Sequence, residues 1–153
     1  IVGVIAYDFP NGVIAARTGI GHRGVYNLSD YSGVEIDDTD GNCQKVEHQD
    51  RFIKIEGIQC LPATAALIST DIRHVGLIDS DNQFLGWRAP FPGIGNVTFA
   101  WTTTTPAIPV LREVRENPES EPQIVFFFNT TLGIDDKSIF DVPAKCSPAS
   151  IIG

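Results

Sequence analysis

The chain has 153 residues, of which 42% are hydrophobic and 20% charged, with a formal net charge of −8. Its length suits one domain, which at that size buries roughly 68–70% of its unfolded surface, and its apolar content excludes a disordered chain. The acidic balance, with eleven scattered Lys and Arg, argues against nucleic acid, and no apolar run approaches the ~20 residues that a membrane span needs.

Taken in chain order, the pattern is β almost throughout. Val2 to Phe9 runs into Pro10-Asn11-Gly12, a turn signal, and Val13 to Ile20 resumes beyond it, predicting a hairpin. Val34-Glu35-Ile36-Asp37 and Gln44-Lys45-Val46-Glu47 alternate on either side of Asp40-Gly41-Asn42, a second hairpin. Helical periodicity is scarce: Leu61 to Ser69, with Pro62 early and three alanines after it, is the best candidate for a helix, and Asp135 to Phe140 for a short turn. Ile72 to Ile78 and Gln83 to Arg88 flank Asp79-Ser80-Asp81-Asn82 as a third hairpin. Asn96 to Thr104, Ala107 to Arg115 and Pro122 to Leu132 supply three more strands, the last two joined by the polar stretch Glu116 to Glu121. Nine or ten strands with so little helix predict a mainly β, antiparallel sandwich or strongly curved sheet, with one or two short helices, over residues 1–153 as a single domain.

Compartment is read from cysteines and sequons. Cys43, Cys60 and Cys146 form no CxxC and no zinc ligand spacing, so one disulfide and one leftover thiol is the simplest arithmetic. N-x-Ser/Thr sequons stand at Asn27, Asn96 and Asn129, where chance supplies about one in a couple of hundred residues. Together they predict a secreted or lumenal glycoprotein. The absence of an initiator Met and a signal segment reads as a processed or trimmed chain.

A sugar-bearing Asn must face water, so the sequons orient their strands. With Asn96 outward, alternation places Val97, Phe99 and Trp101 inward; with Asn129 outward, Ile124, Phe126 and Phe128 point inward. Leu85 and Trp87 share a face, as do Ile5, Tyr7 and Phe9. Such side chains are ordinary core material, but Tyr7, Phe9, Leu85, Trp87, Phe99, Trp101, Phe126 and Phe128 together are also candidates for the wall of an apolar ligand site.

Residues Asn96 to Cys146 resemble the ependymin-related proteins, secreted glycoproteins whose fold is similar to bacterial lipoprotein carriers of the LolA type. The likeness lies in Val97-Thr98-Phe99-Ala100-Trp101, Ile108-Pro109-Val110, Phe128-Asn129-Thr130-Thr131-Leu132-Gly133-Ile134 and Ser138-Ile139-Phe140-Asp141-Val142-Pro143 with Cys146. Upstream, Tyr7-Asp8, Val34 to Asp37 and Cys43 fall where that family has early hairpins and a cysteine. Family members usually carry a cysteine just before the Ile-Pro-Val segment, bonded near the N-terminus; Ala107 stands there in this chain, and the N-terminal partner is missing with it. The resemblance thus implies a Cys43–Cys146 bond with Cys60 as the odd thiol. It further implies a sandwich with a hydrophobic pocket or cleft, often in a homo- or hetero-dimer with a related chain, binding lipids or, in some relatives, carotenoids.

The remaining constellations are weaker. His22, His48 and His74 are far apart, with no Ser or Cys in a nucleophile context, so an enzyme is not expected. Set against an EF-hand loop with Gly41 at its turn, Asp38, Asp40 and Glu47 fall on ligand positions but Ile36 takes the first, so a solvated hairpin turn is the better reading, with weak calcium binding left open. Gly19-Ile20-Gly21 and Gly93-Ile94-Gly95 lack a following helix or Lys-Ser/Thr pair and read as strand breaks. The expectation is a non-enzymatic secreted glycoprotein binding an elongated apolar small molecule, a carotenoid or fatty-acyl lipid, in a pocket or dimer cleft. The alternative is a calcium-responsive extracellular matrix or adhesion glycoprotein.

Overall fold

The computed structural model of the chain describes residues 3–47, 51–58, 60–68, 73–74 and 83–146, without the side chains of residues 51, 52, 73 and 74. The protein is mainly β, and every strand pairing among these residues is antiparallel. It divides into two compact units, one made of Ile1–Gln59 with Leu132–Gly153, the other of Cys60–Thr131.

The first unit is a meander of β1 (Gly3–Asp8), β2 (Val13–Thr18), β3 (His22–Asn27), β4 (Gly33–Asp37) and β5 (Cys43–Val46), in that spatial order. Between β1 and β2, Phe9–Asn11 form a 3-10 turn: Asp8 caps it by accepting from the Asn11 N–H, and Gly12 closes it at φ 67°, a left-handed conformation suited to glycine. Both expected hairpins form. β3 is an addition, because His22-Arg23-Gly24-Val25-Tyr26 carries charge and glycine where a strand is usually apolar.

Register explains the packing. Tyr7, Ile14, Tyr26, Gly33 and Val46 stand opposite one another in a row across all five strands. Ile53, from the helix α1 (Arg51–Glu56), packs on Ile14 and Tyr26, with Ile5, Tyr7 and Val46 around them. The Tyr26 ring lies where Gly24 and Gly33 would carry a Cβ, so both glycines make room for it. The opposite face holds Val25, Val34, Ile36 and Cys43, covered by the C-terminal Cys146.

Two covalent and polar ties hold that C-terminal segment. Cys43 and Cys146 form the disulfide, as the family resemblance implied, and Cys60 is a free, exposed thiol. Arg23, only 8% exposed, pairs with Asp38 at 3.1 Å and donates to the carbonyl of Ile139 at 3.0 Å and to that of Asp141, at the end of the 3-10 turn Lys137–Phe140. This turn is the one expected at Asp135 to Phe140.

The second unit has β6 (Ala66–Leu67), β7 (Arg73–His74), β8 (Gln83–Phe91), β9 (Gly95–Thr102), β10 (Pro109–Arg115) and β11 (Gln123–Phe126). Their order is β11-β10-β9-β8-β6, with β7 also on β8. The two strands of the third hairpin meet in the pairs Arg73–Phe84 and His74–Gln83, four residues off the register that a turn at Asp79–Asn82 requires, and residues 75–82 lie outside the described residues. Ala89, Val97 and Val114 stand opposite one another on one face and are buried along with Phe99 and Arg112.

The helix expected over Leu61 to Ser69 is not there. Ala65 N–H closes a turn on the Pro62 carbonyl, and Ala66 and Leu67 pair with Arg88 and Trp87 of β8, leaving Ser69 outside the described residues. Alanine's helix preference amounts to tenths of a kcal/mol per residue, which pairing with a neighbouring strand outweighs. The helix forms instead at Arg51–Glu56, whose last turn closes from the Gly57 N–H to the Ile53 carbonyl.

Candidate functional site

The eight expected wall residues fall into three groups. Tyr7 and Phe9 belong to the first unit, where their rings stack with centroids 5.4 Å apart and the Tyr7 hydroxyl donates to Glu56 at 2.8 Å. In the second unit Leu85 stands opposite Trp101 and Trp87 opposite Phe99, making one aromatic block on the same face as buried Val97. Phe91 meets Phe99 edge to face at 6.0 Å. The Trp101 Nε1 is buried and has no hydrogen-bond partner among the described residues.

Phe126 and Phe128 correct the inward orientation expected for them. Both are 65% exposed, and Ile124 is 47% exposed. The strand reading carried alternation through to Asn129, but β11 ends at Phe126 and Asn129 sits at φ 53°, a left-handed turn in which two-residue alternation no longer applies. The half-buried positions of this stretch are Val125 and Phe127, and the Phe127 N–H bonds to the Val110 carbonyl.

Phe126 instead belongs to the second face of its sheet. It stands opposite Leu111, which stands opposite Ala100, which stands opposite Gly86. Ile68, itself exposed, lies with its Cδ1 3.4 Å from where a Gly86 Cβ would be. Ile68, Leu111, Ile124 and Phe126 thus form an apolar strip across the sheet, and the exposed Phe128 follows two residues beyond its edge strand. Of these, Ile68 and Leu111 escaped the sequence reading; the signal was the outward parity of Asn96, which carries over to Ala100 and its cross-strand neighbours.

Further along the same face is a polar depression of about 300 Å³ lined by Arg88, Asn96, Thr98, Glu113, Arg115 and Pro118. Arg88 Nε donates to the Thr98 hydroxyl at 3.3 Å, and Arg115 pairs with Glu113 at 3.5 Å. All three sequon asparagines are exposed, and Asn27 accepts the Ser29 N–H at 2.7 Å.

The acidic turn is saturated by its own donors. Asp37 accepts from the Thr39 hydroxyl and N–H, which hold its carboxyl below the ordinary aspartate value, and Asp40 accepts from the Asn42 N–H. Asp38 is taken up by Arg23 and Arg17. Among the described residues no group of three or more His, Cys, Asp or Glu converges as a metal set. His48 and the side chain of His74 lie outside the described residues. No described helix is long and apolar enough to cross a membrane.

No protein-family model matches this chain, and no curated protein matches it. Fold and site together define a mainly β protein of two antiparallel units, one of which presents an apolar strip on its surface.

Proposed function

We propose that the protein is a secreted, non-enzymatic glycoprotein of the ependymin-related type that binds an elongated apolar molecule, a carotenoid or a fatty-acyl lipid. The observation that supports this most is the strip of Ile68, Leu111, Ile124 and Phe126, with the exposed Phe128 just beyond it in the chain. Large exposed apolar groups lined up on one face mark interaction surfaces, and two phenylalanines about two-thirds exposed oppose the hydrophobic effect unless something covers them. A polyene or acyl chain has few polar atoms to desolvate and gains ~25 cal/mol per Å² of apolar surface buried. The disulfide, the exposed sequons and the acidic surface suit an extracellular carrier.

Protein purified from its natural source, extracted with organic solvent and read by mass spectrometry and visible absorption, is expected to release a polyene or an acyl lipid in stoichiometric amount. The Phe126→Ser/Phe128→Ser double variant is expected to lose binding of a fluorescent acyl chain or a carotenoid while keeping its fold by circular dichroism. Empty extracts, together with a double variant that binds as the parent does, would sink the proposal.

A further inference from the structure

The polar depression on the second sheet has a feature that the apolar strip does not use: one of its own walls is a sequon asparagine. Asn96, the second residue of β9, stands opposite Arg115 on β10 and Pro90 on β8, and Thr98 follows on the same face. Val97 between them points the other way and is fully buried, which fixes Asn96 and Thr98 toward the depression. Around Asn96 stand Arg88, donating only to Thr98 among the described residues, and the Glu113–Arg115 pair, whose Arg115 also reaches the Pro118 carbonyl at 3.5 Å. The set offers guanidinium donors, a carboxylate acceptor and a proline ring to a ligand with hydroxyl and amide groups and one less polar face. That is the chemistry of a sugar ring with an acetamido substituent, and the volume, about 300 Å³, is at the small end of ligand sites.

We propose that Asn96 carries an N-linked glycan whose first N-acetylglucosamine residues lie in this depression, held by Arg88, Glu113 and Arg115. The inference rests on the reading of the protein as secreted. The attached sugar needs no affinity of its own to find the site, because the covalent bond keeps it at high effective concentration there. Seated in that way, the glycan borders the apolar strip along the sheet: Glu113 stands opposite Ile124, and Arg88 and Thr98 lie two residues from Gly86 and Ala100. The sugar then bounds one end of the strip with a hydrophilic wall.

The test is to secrete the full chain from animal cells behind a secretion leader, map each sequon by glycopeptide mass spectrometry, and follow release by peptide-N-glycosidase on the native protein. Occupied Asn96 is expected to be released at least about tenfold more slowly than in an Arg88→Ala variant or than a glycan at Asn27, the effect of one or two net hydrogen bonds. Arg88 is exposed, so its loss leaves the fold intact by thermal melting. If no sequon is occupied, the secreted-glycoprotein reading fails and this inference with it. If Asn27 or Asn129 is occupied and Asn96 is bare, only this inference fails. If Asn96 is occupied but released as fast as in Arg88→Ala, the sugar is attached and not seated, which overturns it as well.

Discussion

The Tyr7 hydroxyl donates to the Glu56 carboxylate at 2.8 Å, tying the first strand to the helix that covers its sheet. Glu56 is buried, so water does not readily replace this donor. Tyr7→Phe keeps the ring and removes this donor, and is expected to cost about 1–3 kcal/mol. Urea denaturation checks it, through a lower midpoint at unchanged slope.

Arg23 is the second polar anchor. Arg23→Met leaves Asp38 without its buried partner and the carbonyls of Ile139 and Asp141 without their donor. Breaking a fully buried ion pair costs about 3–5 kcal/mol; because Asp38 is partly solvated, about 2–3 kcal/mol is expected. Amide exchange should show protection lost first over residues 137–146.

The Cys43–Cys146 bond closes a loop of 103 residues. In the loop-entropy model a closure of that length stabilises by up to about 4.7 kcal/mol, often less in practice. The Cys43→Ala/Cys146→Ala variant should unfold at a correspondingly lower denaturant concentration. Cys60→Ser should change stability by less than about 0.5 kcal/mol, and native thiol titration should find that one sulfhydryl.

Asp37 and Asp136 are expected to make the stability of the first unit sensitive to acid. Hydrogen bonds from the Thr39 hydroxyl to Asp37, and from the Ser138 hydroxyl to Asp136, followed in each case by the backbone N–H of the same residue, hold both carboxyls below the ordinary 3.8. A lowered folded value means that the stabilisation is complete above the unfolded value and is lost as pH falls through the folded one. Stability should therefore fall below about pH 4, with a shallower slope in Asp37→Asn/Asp136→Asn. Carboxyl NMR titration should place both groups below 3.8.

The two phenylalanine settings should separate cleanly. Phe99→Ala, in the buried face, is expected to cost about 3–5 kcal/mol, whereas Phe126→Ser, at the surface, should stay within about 0.5 kcal/mol. Thermal melts of the two variants decide it.

Turn chemistry and alternation made most of the strands legible. Pro10-Asn11-Gly12 and Asp40-Gly41-Asn42 mark hairpins because few residues tolerate the backbone they require, and Asn96 oriented Val97 and Phe99 correctly because β9 stays extended throughout. β3 was hidden because two of its buried residues are an arginine clamp and a glycine under a tyrosine ring, which leaves only Val25 and Tyr26 as apolar positions. Phe126 and Phe128 were misplaced because parity cannot be carried past a left-handed residue such as Asn129. The polar depression assembles from β8, β9, β10 and the turn at Pro118, a cross-strand register that no local pattern contains.

The first unit is written in two pieces, with the whole second unit, Cys60–Thr131, inserted between them. During synthesis, Arg23 and Cys43 therefore emerge long before the carbonyls and thiol they are built to meet. A ribosome-bound chain keeps one face of its first sheet uncovered until the second unit has been made. The order of synthesis thus leaves the acidic, cysteine-bearing N-terminal sheet as the last part to be sealed.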